Sequence, residues 1–237
     1  MIVTGRKDSL LLFTQPDHAG FAARLFSLWR RDGLPQHPRR NELLFAIREH
    51  DNGWREEDAA PRLDPDTSLA ISFDRLPSVA RLEVWRRGVH RFADDHAYAS
   101  QLIARHAEVL HTDHWDQPGW LEFGDELVEL EDKLRGKTEL PLSAIEEDYG
   151  FLRLADTLSL GACGALGLES SSGEGYRYEL ELGRIGLDPF PLAGATTLAL
   201  PYRSLANRPS RNAAGLGTEL AAAEWRSLDV RVEPLDS

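Results

Sequence analysis

The sequence predicts a mainly helical protein carrying a small antiparallel β-sheet appendage, α+β overall. Three observations predict it. Apolar residues recur every three or four positions through most of residues 16–160, the period of a helix with one buried face. Strict alternation is confined to Tyr176–Leu182 and a few short runs near the two ends, the period of a half-buried strand. Clusters of Pro, Gly and Asp separate the periodic stretches, which is how turns and loops are punctuated.

Ile2–Thr4 and Leu10–Thr14 read as two short strands joined by the turn-rich Gly5–Ser9. Pro16 and Asp17 then supply helix-start chemistry, with Asp17 as the expected N-cap, and Phe21, Leu25, Leu28 and Trp29 form one apolar face. Pro38 opens a second helical pattern, Asn41–His50, with Leu43, Leu44 and Ile47 facing inward until Asn52-Gly53 interrupts it. From Trp54 to Pro77 the chain is rich in Pro and Asp and reads as a long loop of the kind that forms lids or pocket walls.

Helical signals return at Ser78–Phe92 and at Asp95–Leu110, where Tyr98, Leu102, Ile103 and His106 share a face. Trp120–Leu134 is amphipathic, with a dense Glu and Asp face read as solvated. Pro141 begins the last long helix, which runs to Leu160 and embeds Asp156 among apolar residues. An isolated buried carboxylate costs several kcal/mol, so Asp156 is expected to meet a metal, an arginine or several backbone donors unless it faces water.

After Gly167 the composition changes: Ser170–Gly175 reads as a flexible turn, Tyr176–Leu182, Thr196–Leu200 and Leu228–Val232 as strands, and Asp188–Pro191 as a rigid turn. The expected organisation is a hairpin at 1–14, a helical domain at 15–167 and a β-rich subdomain at 168–237 packed on the helical body.

The 27 Lys and Arg against 39 Asp and Glu give a formal net charge of −12, which argues against nonspecific binding to nucleic acid or anionic membranes. The apolar run Leu10–Phe13 is too short for a signal peptide or a membrane span, so a cytoplasmic location is expected. Cys163 is the single cysteine and reads as a small packing residue, not a nucleophile. No glycine-rich phosphate loop, Gly-x-Ser-x-Gly motif or cysteine pair is present, which disfavours Walker-type and acyl-enzyme chemistry.

The chemistry-bearing residues are His18, the dipeptide His50-Asp51, His106 and Asp156, each in its own helical stretch. Imidazole and carboxylate hold Mn, Fe, Zn, Ni or Mg without thiolates, and residues from several helices can converge in a bundle core. The structural alternative, histidines satisfied in a core, stands beside this reading. Trp54 is a candidate pocket wall for a substrate ring or a core residue, and Gln15 either orients His18 or ends a strand. His90, His96, His111 and His114 read as surface residues or neighbours of the ligands.

A lone His, an adjacent His-Asp pair and a distant Asp on separate helices resemble the HD-domain metal-dependent phosphohydrolase superfamily over about residues 15–165. That resemblance implies an HD-like helical bundle, a divalent cation on His18, His50, Asp51 and Asp156, and His106 as a second-metal ligand or a contact to substrate phosphate. Local wording is closer to another family. Gln15-Pro16-Asp17-His18-Ala19, His50-Asp51-Asn52-Gly53-Trp54 and Asp156-Thr157-Leu158-Ser159-Leu160 resemble the uncharacterised bacterial family called domain of unknown function 3891.

The function expected is hydrolysis of a small phosphoester by a metal-activated water, with Asp51 and His106 as catalytic residues and Gln15 and Trp54 against the substrate. The partner is then a small molecule, phosphorylated under this reading. The competing classes are a non-catalytic metal- or ligand-binding or sensing protein and a diiron-type oxygenase.

Overall fold

The computed structural model describes residues 1–114, 117–166 and 169–235. The boundary expected between Gly167 and Leu168 lies outside the described residues. Strands β1 (Ile2–Gly5) and β2 (Ser9–Phe13) come first, then helices α1 (Gln15–Ser27), α2 (Arg40–Glu49), α3 (Arg55–Ala59), α4 (Ser78–His90), α5 (Ala97–Leu110), α6 (Trp120–Thr138) and α7 (Leu142–Ala162), then strands β3 (Glu169–Gly173), β4 (Tyr176–Glu181), β5 (Arg184–Asp188) and β6 (Thr196–Ala206), helix α8 (Ala213–Ala222) and strand β7 (Trp225–Pro234).

A mainly helical bundle with a small antiparallel appendage is not what forms. Helices take about half of the chain, but the strands join into one curled, seven-stranded mixed sheet, and the architecture is α+β with the sheet as a full layer. The strand order is β1-β2-β6-β7-β5-β4-β3. The N-terminal hairpin reaches the rest through β2 and β6, and β7 runs antiparallel to β6 and parallel to β5. Sheet membership is set by these long-range pairings, which local periodicity does not carry.

Several segments differ from the expectation for local reasons. Ser171–Gly173, read as part of a flexible turn, pairs along β4 as the edge strand β3. Glu174 and Gly175 form the tight turn, both with positive φ. The long loop contains a 3₁₀ turn at Asn52–Trp54, α3 and a second 3₁₀ turn at Phe73–Arg75. The cap of α1 is Thr14, not Asp17: the Thr14 hydroxyl accepts from the backbone N–H of Asp17, which sits in the first turn.

The main core lies between the sheet and α1, α2, α5 and α7. Phe21, Leu25, Ile47, Leu102, Leu152 and Leu158 meet Leu180, Ile185, Leu200, Val230 and Val232. In β4 the alternation holds, with Tyr176, Tyr178 and Leu180 turned inward and their neighbours exposed. α7 lies so close to the sheet at Gly161 that a Cβ there would stand 2.6 Å from the Cβ of Leu180. A second core joins α4, α5 and α6 through Trp85, Val89, Ile103, Trp120, Phe123 and Leu134. Among the described residues no helix is long and apolar enough to cross a membrane.

Candidate metal centre

Three helices deliver four side chains to one buried point. α1 brings His18 in its first turns, α2 ends with His50 as its C-cap residue and hands on to Asp51, and α7 brings Asp156. His18, His50, Asp51 and Asp156 each offer one ligand atom, and these atoms all lie within 4.8 Å of one another. The edges are short: His18 Nε2 to Asp51 Oδ2 is 2.9 Å, His50 Nε2 to Asp51 Oδ2 is 3.5 Å, and His50 Nε2 to Asp156 Oδ1 is 3.2 Å. Neighbouring ligands about 2.1 Å from a metal ion stand roughly 3 Å apart, so the cluster has the dimensions of a coordination shell.

The outer hydrogen bonds aim both imidazoles. His50 Nδ1 lies 2.7 Å from the Ile47 carbonyl, an acceptor with no proton to give, so Nδ1 carries the hydrogen and Nε2 faces the carboxylates. His18 Nδ1 lies 2.8 Å from the Ser159 hydroxyl, which itself donates to the carbonyl of Asp156. Metal-bound histidines are held in this way by their far nitrogen.

The charge balance asks for a cation. Asp51 and Asp156 are buried together, and among the described residues they pair only with histidines, never with Lys or Arg. Burial disfavours the charged imidazole of His50, but Asp51 and the hydrogen-bonded Asp156 outweigh it and lift the pKa to about 9. Burial likewise opposes ionisation of Asp156 and Asp51, and contact with the histidines nevertheless holds both carboxyls below the usual range. In the protein alone the His50 proton supplies the positive charge that a divalent cation would supply in its place.

His106, on α5, stands beside this group. Its Nε2 is 3.8 Å from Asp156 Oδ2, its Nδ1 is 3.3 Å from the Tyr149 hydroxyl, and its ring meets that of His50 edge-on at 5.1 Å. Burial pushes its pKa down to about 4, so it is neutral at physiological pH. It lies within reach of groups around the cluster, but outside the four.

The other residues singled out in the sequence are not among the four. Trp54 is buried with Ile71, Leu76, Ala80 and Val84 in a small core of its own. Gln15 is buried, its backbone N–H donates to Asp58, and its side-chain oxygen has no partner. Cys163 is buried with its thiol pushed well up by that burial, the state of an inert packing residue. His111, read as surface or neighbouring, is buried between tryptophans.

The dipeptide that follows the ligands has a structural reason that sequence reading missed. The backbone at Gly53 crosses α4 at Gly88 so closely that a Cβ on Gly53 would lie 2.1 Å from the Val84 carbonyl oxygen. Asn52 clamps the crossing by donating to the carbonyls of Glu49 and Gly88. Asn52-Gly53 thereby anchors His50 and Asp51 against the second core.

A family model described as "Protein of unknown function (DUF3891)" matches residues 1–207. No curated protein and no solved structure matches the chain. The resemblance to the HD-domain superfamily receives no support from these comparisons.

Proposed function

The chain belongs to the family of unknown function DUF3891, and from the chemistry of its buried site we propose that it binds a divalent cation and hydrolyses a small phosphoester. His18, His50, Asp51 and Asp156 would hold the ion. The observation that carries this reading is the aim of His50, whose Nδ1 is spent on the Ile47 carbonyl while Nε2 faces two buried carboxylates. Imidazole and carboxylate together suit Mn, Fe, Zn, Ni or Mg.

A bound divalent ion lowers the pKa of its water and polarises a phosphoryl oxygen. Around it, Asp51 orients the nucleophile through the oxygen not shared with His18 and His50. Neutral His106 would take a proton from the attacking water and, once protonated, pass it to the leaving oxygen, while the Tyr149 hydroxyl at its Nδ1 fixes the ring.

A second reading is favoured by one observation: no Lys or Arg among the described residues pairs with the cluster. Two carboxylates and one divalent ion sum to zero, which leaves no surplus positive charge for a phosphate and suits a metal-binding or sensing protein without turnover.

One experiment separates them. Metal content is measured by mass spectrometry on tag-free protein, and p-nitrophenyl phosphate and its diester are assayed with each cation. Near-stoichiometric metal and turnover, both lost in Asp51→Ala, support the hydrolase; metal without turnover of either ester supports the second reading. No metal after reconstitution overturns both.

A further inference from the structure

A second cluster of chemistry-bearing side chains lies beside Trp85. The Trp85 ring sits 5.7 Å from His106 and 5.1 Å from His111, centroid to centroid. His111 is 5% exposed, and among the described residues neither of its ring nitrogens has a hydrogen-bond partner. His114 packs edge-on to it at 5.5 Å, and both rings meet Trp120.

Arg81 of α4 joins them. Its Nη2 lies 3.2 Å from His114 Nε2. Arg81 can only donate, so His114 Nε2 accepts, and a neutral His114 then carries its hydrogen on Nδ1. That Nδ1 and the Nε of Arg81 are buried and have no partner among the described residues. Among the described residues Arg81 forms no ion pair with a carboxylate.

The backbone adds to the same sign. Arg81 lies near the start of α4, whose N-cap is Pro77 with no side-chain cap and whose first turn holds no acidic residue. Ser78, which could have served there, accepts instead from Trp120 Nε1 and donates to Gln117. An open helix N-terminus carries partial positive charge and free N–H groups.

Buried donors without acceptors are rare in folded proteins and call for a partner. A cation would meet the repulsion of Arg81, and a neutral partner would bring the guanidinium no countercharge. We infer that Arg81, His111 and His114, at the uncapped start of α4, form a binding site for an oxyanion of the phosphate class. Helix N-termini and arginine favour this chemistry. None of the three is among the four residues of the metal cluster, and the site does not depend on the function proposed above.

The anion could be free inorganic phosphate or the phosphate end of a small ester. The test is thermal unfolding of protein stripped of metal and desalted, titrated with sodium phosphate or phenyl phosphate, with sodium chloride at matched ionic strength as the control. Stripping removes any contribution from phosphate held by a cation, so failure here is distinct from failure of the metal reading. The expected result is a saturable rise in Tm of about 3 °C at tenfold excess over Kd, reduced to below a third in both Arg81→Met and His114→Phe. A rise with both compounds assigns the site to esters, and a rise with inorganic phosphate alone to the free anion; both outcomes support it. No rise beyond chloride, or an equal rise in the two variants, overturns the proposal.

Discussion

His18 and Ser159 face each other at 2.8 Å across 141 residues of sequence, and this contact ties the first turns of α1 to the end of α7 at the metal cluster. Ser159 spends its own hydrogen on the carbonyl of Asp156 three residues earlier, so its oxygen is left to accept from His18 Nδ1. Through one hydroxyl, the residue that aims one ligand is fixed to the backbone of another.

Replacing Ser159 with Ala should therefore weaken metal binding without touching a ligand. The variant leaves a buried Nδ1–H unpaired and frees the His18 ring to take the other tautomer, and loss of such an outer hydrogen bond costs about 10- to 100-fold in metal affinity. Stability should fall by about 1–3 kcal/mol, the cost of an unsatisfied buried donor. Calorimetric titration with Zn or Mn, beside a denaturant melt of the metal-free protein, checks both. Unchanged affinity would show that Ser159 only packs.

The Gly53–Gly88 crossing makes an asymmetric prediction. An Ala at 53 would drive its Cβ to 2.1 Å from the Val84 carbonyl, whereas an Ala at 88 would meet Gly53 N at 3.3 Å. Overpacking costs typically about 1–3 kcal/mol, and Gly53→Ala should reach or exceed the top of that range and lose metal, because His50 and Asp51 immediately precede the displaced backbone. Gly88→Ala should be close to neutral, since better helix propensity returns about 1 kcal/mol. Melting curves and metal content of the two variants test the order.

Much of the candidate site was legible in the sequence, and much of the sheet was not, for one physical reason. His18 and Asp156 sit on helices whose 3.6-residue period marks the inward face, and His50-Asp51 directly follows the last turn of another, so polar residues at these places stand out. β7 was legible as a strand only over Leu228–Val232. Its place between β5 and β6 is decided by backbone pairing with strands far away in sequence, and its burial pattern is weak at the start, with Trp225 exposed. α8 escaped for a related reason: Ala213–Ala222 is built of small residues, and only Leu216 and Leu220 mark a buried face. Asn52-Gly53 was read as a helix stop, which it is, but its close crossing of α4 requires knowing what lies opposite.

The metal-free protein should be most stable near pH 6.5. Burial depresses His106 to about 4 and His111 to about 3, the latter with His114 and Arg81 adding to the effect. Below pH 6.5 the unfolded chain takes protons at these positions that the folded chain refuses, so stability falls on acidification, by up to about 1.4 kcal/mol per pH unit for each group. His50 acts in the opposite direction. Raised to about 9, its contribution is complete below 6.5 and is lost as pH rises from there through 9. Urea midpoints from pH 4.5 to 9.5 should trace this dome. His111→Phe should flatten the acid limb, and metal loading should remove the alkaline one. A flat profile in the metal-free protein would contradict the burial of these rings as charge-neutral groups.

Cutting the chain after Asn207 should abolish folding, although every candidate metal ligand would remain. β7 pairs with β6 from Thr196↔Val232 to Arg203↔Trp225 and with β5 from Arg184↔Arg231 to Leu187↔Pro234. Its removal splits the sheet into two pieces with facing unpaired edges. It also takes Val230 and Val232 out of the main core and uncovers Ile185 and Leu200, which are fully buried. Loss of two buried valines alone is worth several kcal/mol at about 1.5–3 kcal/mol each, a large share of the 5–15 kcal/mol typical of a domain. New edges also invite aggregation. Circular dichroism and gel filtration of the truncated chain should show an aggregated or unfolded product without metal. A monomer with native helix content and the metal retained would mean that the helical layer holds the site without the closed sheet.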